Sequence, residues 1–372
     1  MPPENAARRP AAPTVVRLEL ALQGGGAHGA FTWGVLDRLL DEPRLQIVAI
    51  SGASAGAMNA VLVAHGLGTA PGPAGAAAAQ KALWKFWKGV SRSAAMMRGA
   101  TAALDFMAPP QGLSGVAFGP FALWSASHAA WRTFAERAAG RHGRVPEDLN
   151  PLGPLLDGLV DFEALRQPTA VRLFLSATDV ATGALRVFRN ADLSASAVLA
   201  SACLPQLFRA VEIDGRAYWD GGYLANPPLA PLIAESAADD LLVVQLNPTR
   251  REALDEDADA ILARVNEISF NASLVNELRG ILTLRRALAL APPGFLCGEA
   301  LLDKLSTLRL HRIAATETEV ASDGRGRMNP EWSLLQRLHG AGQRAADVWL
   351  QQNGDSLGRV STLDDTTALD FP

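Results

Sequence analysis

Three short segments carry residue types suited to acyl transfer. In the first, Gly52-Ala53-Ser54-Ala55-Gly56 follows directly on the apolar run Ile47-Val48-Ala49-Ile50, so a strand ends in a tight turn with a serine at its apex. The G-x-S-x-G spacing displays a nucleophile: the apex backbone is strained, and small neighbours let the next helix pack close while the hydroxyl stays exposed. The second, Gly24-Gly25-Gly26-Ala27-His28-Gly29, lies between strand-like residues 15–22 and a helical pattern over residues 30–40. Consecutive glycines free backbone N–H groups to point at one anion, and the helix N-terminus behind them adds its positive dipole end, as in an oxyanion hole. The third, Asp220-Gly221-Gly222, follows a strand pair turned at Asp214-Gly215. An acid before two glycines is an ordinary turn on its own; beside a displayed serine it is a candidate general base.

The same letters admit other chemistry. Gly24, Gly26 and Gly29 satisfy G-x-G-x-x-G, the dinucleotide fingerprint, which asks for an acid about 20 positions on, at the end of a second strand. Here that strand ends in Ser51 and the serine turn, while Asp41 and Glu42 fall at a helix end. A phosphate P-loop is excluded because no Gly-Lys-Ser/Thr follows. A Ser/acid/His triad in the chain order of α/β-hydrolases needs His311 or His339. These read more simply as a strand residue and a helix-end residue.

In this order the three segments resemble the patatin-like phospholipase family. The resemblance implies a Ser/Asp dyad in which Ser54 attacks an acyl ester, Asp220 takes its proton, and Gly24, Gly25 and Gly26 hold the oxyanion, with Gly52, Gly56, Gly221 and Gly222 supporting. Ala177-Thr178-Asp179 with Thr182-Gly183, Ala200-Ser201-Ala202-Cys203-Leu204-Pro205, and Asn226-Pro227-Pro228 look like the family's intervening segments. The likeness covers residues 15–250. Two positions depart from it: His28 stands where the family usually carries Arg or Lys, and Gln206 where glycine is common. His28 reads as structural rather than catalytic.

An aspartate can take a serine proton only if its surroundings disfavour its charge or the hydroxyl is itself made more acidic, and a dry cleft does the former. Glycine-loop amides then stabilise the tetrahedral oxyanion, where loss of one donor costs about 100- to 1000-fold in turnover. The expectation is a serine hydrolase acting on lipid acyl esters through an acyl-Ser54 intermediate, with no cofactor and no metal. A non-catalytic lipid-binding or scaffold protein on the same fold is the alternative.

The elements that must position these residues alternate β and α signals, which predicts a three-layer α/β/α sandwich with a mostly parallel central sheet. Residues 14–250 read as the catalytic domain, 251–352 as a C-terminal helical extension, 1–13 as a disordered lead and 353–372 as a loose tail. Residues 66–79 read as a Gly/Pro/Ala linker. They lead into a helical insertion at 80–150 rich in aromatic and basic residues, among them Trp84, Trp87, Trp124, Trp131, Lys85 and Lys88. That insertion is either packed on the core or a lid, and is the candidate for peripheral membrane contact. A helical pattern through Ile261, Val265, Ile268, Leu274, Leu278, Ile281 and Leu284, broken near Ser273, reads as a packing helix, with a homodimer interface as the sharper alternative. The net charge of −4, from 34 basic and 38 acidic residues interspersed, offers no footprint for nucleic acid. Two cysteines are too few for a disulfide scaffold. The N-terminus lacks the apolar core of a secretory signal, and no stretch of about 20 apolar residues is free of charge. The chain therefore reads as cytoplasmic, with surface attachment to a membrane left open.

Overall fold

The computed structural model describes residues 15–107, 150–205, 207–250, 258–290, 292, 300–320 and 329–363. Among the described residues, eight strands form one sheet: β1 (Val16–Leu22), β2 (Leu45–Gly52), β3 (Arg172–Asp179), β4 (Leu185–Arg189), β5 (Val211–Ile213), β6 (Arg216–Asp220), β7 (Asp240–Gln245) and β8 (Arg309–Ala314). Their order is β5-β6-β3-β2-β1-β7-β8, with β4 also paired to β3. The central run β3-β2-β1-β7-β8 is parallel, whereas β4, β6 and β5 are antiparallel additions at one side. The central strands are near-continuous apolar runs because a parallel sheet is covered on both faces.

Alternation along the strands divides the core in two. Leu18, Leu20 and Leu22 of β1 and Leu242 and Val244 of β7 pack with helices Gly29–Leu40, Ala55–Thr69, Pro73–Met107, Ala195–Ser201 and Trp332–Asn353. Ala21, Ala49, Leu241 and Val243 face the other way, against helices Leu229–Glu235, Ala258–Ala289 and Ala300–Thr307. This is the three-layer sandwich that the β/α alternation calls for.

Several local expectations change. Residues 66–79 are no linker: helix Ala55–Thr69 turns sharply into helix Pro73–Met107. A Cβ at Gly66 would lie 2.2 Å from the Ala79 Cα, so the small residues serve close helix contact. Leu83, Phe86 and Trp87 of the second helix are buried, while Trp84 is exposed and meets the Trp332 ring edge-on. The described start of the insertion is thus packed on the core; Trp124 and Trp131 lie outside the described residues, as do residues 1–13, Gln206 and Cys297. The region after residue 250 is more than a helical extension. It supplies β8 and covers the second face through Leu274, Leu278 and Leu282, without which Ala21 and Val243 would meet water. Helix Ala258–Ala289 runs unbroken through Ser273, and its Ile261, Val265 and Ile268 point outward rather than inward. Residues 353–363 are tied down, with the Thr362 and Leu363 amides donating to the Leu310 carbonyl. His339 sits inside helix Trp332–Asn353 and not at its end. Gly342 lets that helix press on helix Gly29–Leu40, since a Cβ there would meet the Phe31 carbonyl oxygen at 2.0 Å. Among the described residues no helix is long and apolar enough to cross a membrane.

Candidate active site

Strand register brings the three sequence segments to one row at the carboxyl edge of the sheet. Leu22 of β1 pairs with Gly52 of β2, and Gly52 with Leu175 of β3. Gly24 and Ser54 follow two residues beyond the ends of β1 and β2 and lie against each other, and Ala177, two residues past Leu175, pairs across to Asp220 at the end of β6. Residues separated by more than 150 positions meet because β6 returns antiparallel beside β3, its position set by the tight Asp214-Gly215 turn in which both residues have positive φ.

Ser54 occupies the apex of the turn between β2 and helix Ala55–Thr69 with φ 54° and ψ −124°, a conformation costly for a residue with a side chain. Packing enforces it: the Ser54 amide donates to both the carbonyl and the hydroxyl of Ser201, at 3.1 and 3.0 Å. The segment ending helix Ala195–Ser201 holds the acid as well, for the Asp220 amide donates to the Cys203 carbonyl at 2.8 Å. Gly52 and Gly56 meet each other across the turn, and Gly221 lies against the Ser176 carbonyl; none of the three has room for a Cβ.

Asp220 has no solvent exposure. Its Oδ1 accepts the Gly222 amide at 2.7 Å. Burial pushes its carboxyl up to about 7, and hydrogen bonding from Gly222 and the Ser54 hydroxyl opposes this without cancelling it. Oδ2 is nevertheless buried without a fully formed hydrogen bond among the described residues. The Ser54 hydroxyl is close enough to lower the Asp220 carboxyl, though it forms no complete hydrogen bond with Oδ2.

The glycine loop is not uniform. Gly24 touches the serine turn, since a Cβ on it would stand 2.8 Å from the Ser54 Cβ. Its amide is already spent, donating to Asn226 Oδ1 at 2.7 Å. The amides of Gly25 and Gly26 have no hydrogen-bond partner among the described residues. Gly26 adopts φ 58°, which favours glycine, and opens the 3-10 turn Gly26–His28 that feeds helix Gly29–Leu40. His28 is buried at the start of that helix.

Behind the loop lies a buried amide network that local motifs do not announce. Gln23 Oε1 accepts the amides of Leu246 and Asn247, and its Nε2 donates to Asn271 Oδ1 at 2.8 Å. Asn271 Nδ2 donates in turn to the carbonyls of Asn247 and Pro248. Phe270 covers Gly222 and stacks near Tyr223. Helix Ala258–Ala289 is therefore a wall of the site. The helical spacing i, i+1, i+4 of buried Phe270, Asn271 and Leu274 on one face was the available signal.

Other candidate groups are not brought here. His311 is level with Leu242, Leu20 and Ile50, four residues short of Ser54 along the strands and so about 13 Å toward the opposite edge. It bonds Asp240 and Thr362, while His339 bonds Asp37. Asp41, the nearest acid for a dinucleotide fingerprint, caps the end of helix Gly29–Leu40 and accepts from Gln80. Asp179 closes the β3–β4 turn through the amides of Ala181 and Thr182.

A family model described as patatin-like phospholipase matches residues 20–233, more than half of the chain. No curated protein sequence matches. Among solved structures, the chain is similar to VipD from Legionella pneumophila, with 15% sequence identity, 91% of this chain and 67% of that chain covered, and a TM-score of 0.34.

Proposed function

Because the chain belongs to the patatin-like phospholipase family, a family of lipid hydrolases, we propose that it cleaves lipid acyl esters with Ser54 as nucleophile and Asp220 as general base. The observation that carries this reading is the convergence of a strained serine turn, a fully buried carboxyl with a raised pKa and two unpartnered glycine amides on one row of the sheet. Asp220, half ionised near neutral pH, accepts the Ser54 proton as Oγ bonds to the acyl carbon. The carbonyl electrons move to oxygen, and glycine amides stabilise that charge in a site where water is scarce. Collapse of the tetrahedral species expels the alcohol, which takes its proton from Asp220. Water then repeats the sequence in reverse: Asp220 accepts its proton, hydroxide adds to the acyl-serine, and Ser54 leaves with the proton restored.

Contact with a lipid surface through the insertion belongs to the same proposal, supported by the exposed Trp84 and Met96 on its described helix. The test is a fluorophosphonate probe followed by peptide mapping, beside hydrolysis of a lipid panel. The expected results are an adduct on Ser54 and loss of turnover by at least about 1000-fold in Ser54→Ala. Wild-type turnover in Ser54→Ala, or a folded protein that takes no adduct, would point instead to a lipid-binding protein on this fold.

A further inference from the structure

Three consecutive glycines offer three amides to an oxyanion, yet the structure does not treat them alike. We infer that Asn226 is a positioning residue that sorts them, holding Gly24 out of the oxyanion hole and leaving Gly25 and Gly26 to form it. This deepens the hydrolase reading above and rests on it.

Asn226 is fully buried, and every polar atom of its side chain is used. Oδ1 accepts the Gly24 amide at 2.7 Å. Nδ2 donates to the Phe270 carbonyl at 3.0 Å and, more weakly, to the Gly24 carbonyl at 3.5 Å. Its backbone amide donates to Ser273 Oγ at 3.1 Å. This pattern fixes the amide orientation, because a flipped side chain would set its NH2 against the Gly24 N–H and its oxygen against two carbonyls. The residue thus locks the loop after Asp220, the glycine loop and helix Ala258–Ala289 into one arrangement. Asn247 Nδ2, just beyond β7, reaches the Gly24 carbonyl at 3.4 Å, so the first glycine is anchored on both of its polar groups.

An N–H that already donates a short bond to a buried acceptor is not available to a developing oxyanion. Gly25 and Gly26 differ: their amides have no partner among the described residues. Gly24 is then required for another reason, as only hydrogen fits between its backbone and the Ser54 side chain.

The test compares wild type, Asn226→Leu, which is similar in size and lacks the acceptor, and Asn226→Asp, which keeps it. With p-nitrophenyl butyrate, Asn226→Leu should lose about 100-fold in kcat with KM little changed, the cost of a misplaced hole. Its affinity for a trifluoromethyl ketone, which binds as a tetrahedral oxyanion, should fall by the same factor, and Asn226→Asp should recover part of both. Equal kcat and inhibitor affinity in wild type and Asn226→Leu would overturn the inference. Should Asn226→Leu fail to melt cooperatively, amide hydrogen exchange on the wild type decides. The Gly24 amide should be protected in the free enzyme, while Gly25 and Gly26 gain protection only in the fluorophosphonate adduct. Fast exchange at Gly24 that slows on adduct formation would place it in the hole and sink the idea. Ser54→Ala runs alongside: if it keeps wild-type activity, the hydrolase reading itself has failed and this inference falls with it.

Discussion

Two aspartates sit at opposite edges of the same sheet, neither with appreciable solvent-exposed surface, and differ in their depth and in their partners. Asp220 ends β6 at the carboxyl edge beside Ser54, with one backbone amide and the nearby Ser54 hydroxyl for company. Asp240 begins β7 at the amino edge, where Arg309 donates through Nε and Nη2 to Oδ2 at 3.0 and 2.8 Å, and His311 and the Gly358 amide reach Oδ1. Burial acts to raise both carboxyls. At Asp240 the hydrogen bonds from His311, Arg309 and Gly358 outweigh it and bring the group down to about 2; at Asp220 burial wins and the group stands at about 7. Compensating donors, added to a shallower position, separate the structural carboxylate Asp240 from the raised Asp220.

That contrast can be broken at either end. Asp220→Asn should lower kcat by about 100- to 10,000-fold, the range for a lost general base, while the fold persists; unchanged kcat would remove Asp220 from the chemistry. Asp240→Asn should do the reverse, costing about 1–3 kcal/mol in denaturant unfolding by leaving the partly exposed Arg309 with only the longer pairing to Asp239 at 3.5 Å, with kcat of the folded fraction preserved. The pH dependence of stability has opposite signs. The raised Asp220 contributes stability that is complete below about pH 4 and is lost as pH rises through about 7, so Asp220→Asn should gain in Tm over wild type between pH 5 and 8. The depressed Asp240 contributes above about pH 4 and fades as pH falls toward 2, so wild type and Asp240→Asn should converge in stability in acid. The smallest effect is expected from Arg309→Lys, which keeps the charge and loses the two-nitrogen grip, at about 1 kcal/mol.

How much of this could be read from the chain follows the range of the interactions. Ser54, the glycine loop and Asp220 were legible because each is set by local turn chemistry: small residues around an apex, and a hairpin whose Asp214-Gly215 turn fixes where β6 ends. The roles of Asn226, Gln23 and Asn271 were not, since each joins positions 200 or more apart in the chain or sits on a helix whose apolar pattern is unremarkable. Composition also misled. Gly66 and the alanines after it resemble a linker, yet small residues equally serve two helices in close contact. His339 resembled a helix-end residue, but the helix runs on past it, and Gly342 accommodates its crossing with helix Gly29–Leu40.

The most direct test of the central claim is the second-order rate of fluorophosphonate reaction at Ser54 as a function of pH, in wild type and Asp220→Asn. A buried carboxyl acting as the base predicts a wild-type rate that climbs with a midpoint near pH 7 and a slow, flat profile in the variant. The same climb in both proteins, or a wild-type rate independent of pH from 5 to 8, would contradict it.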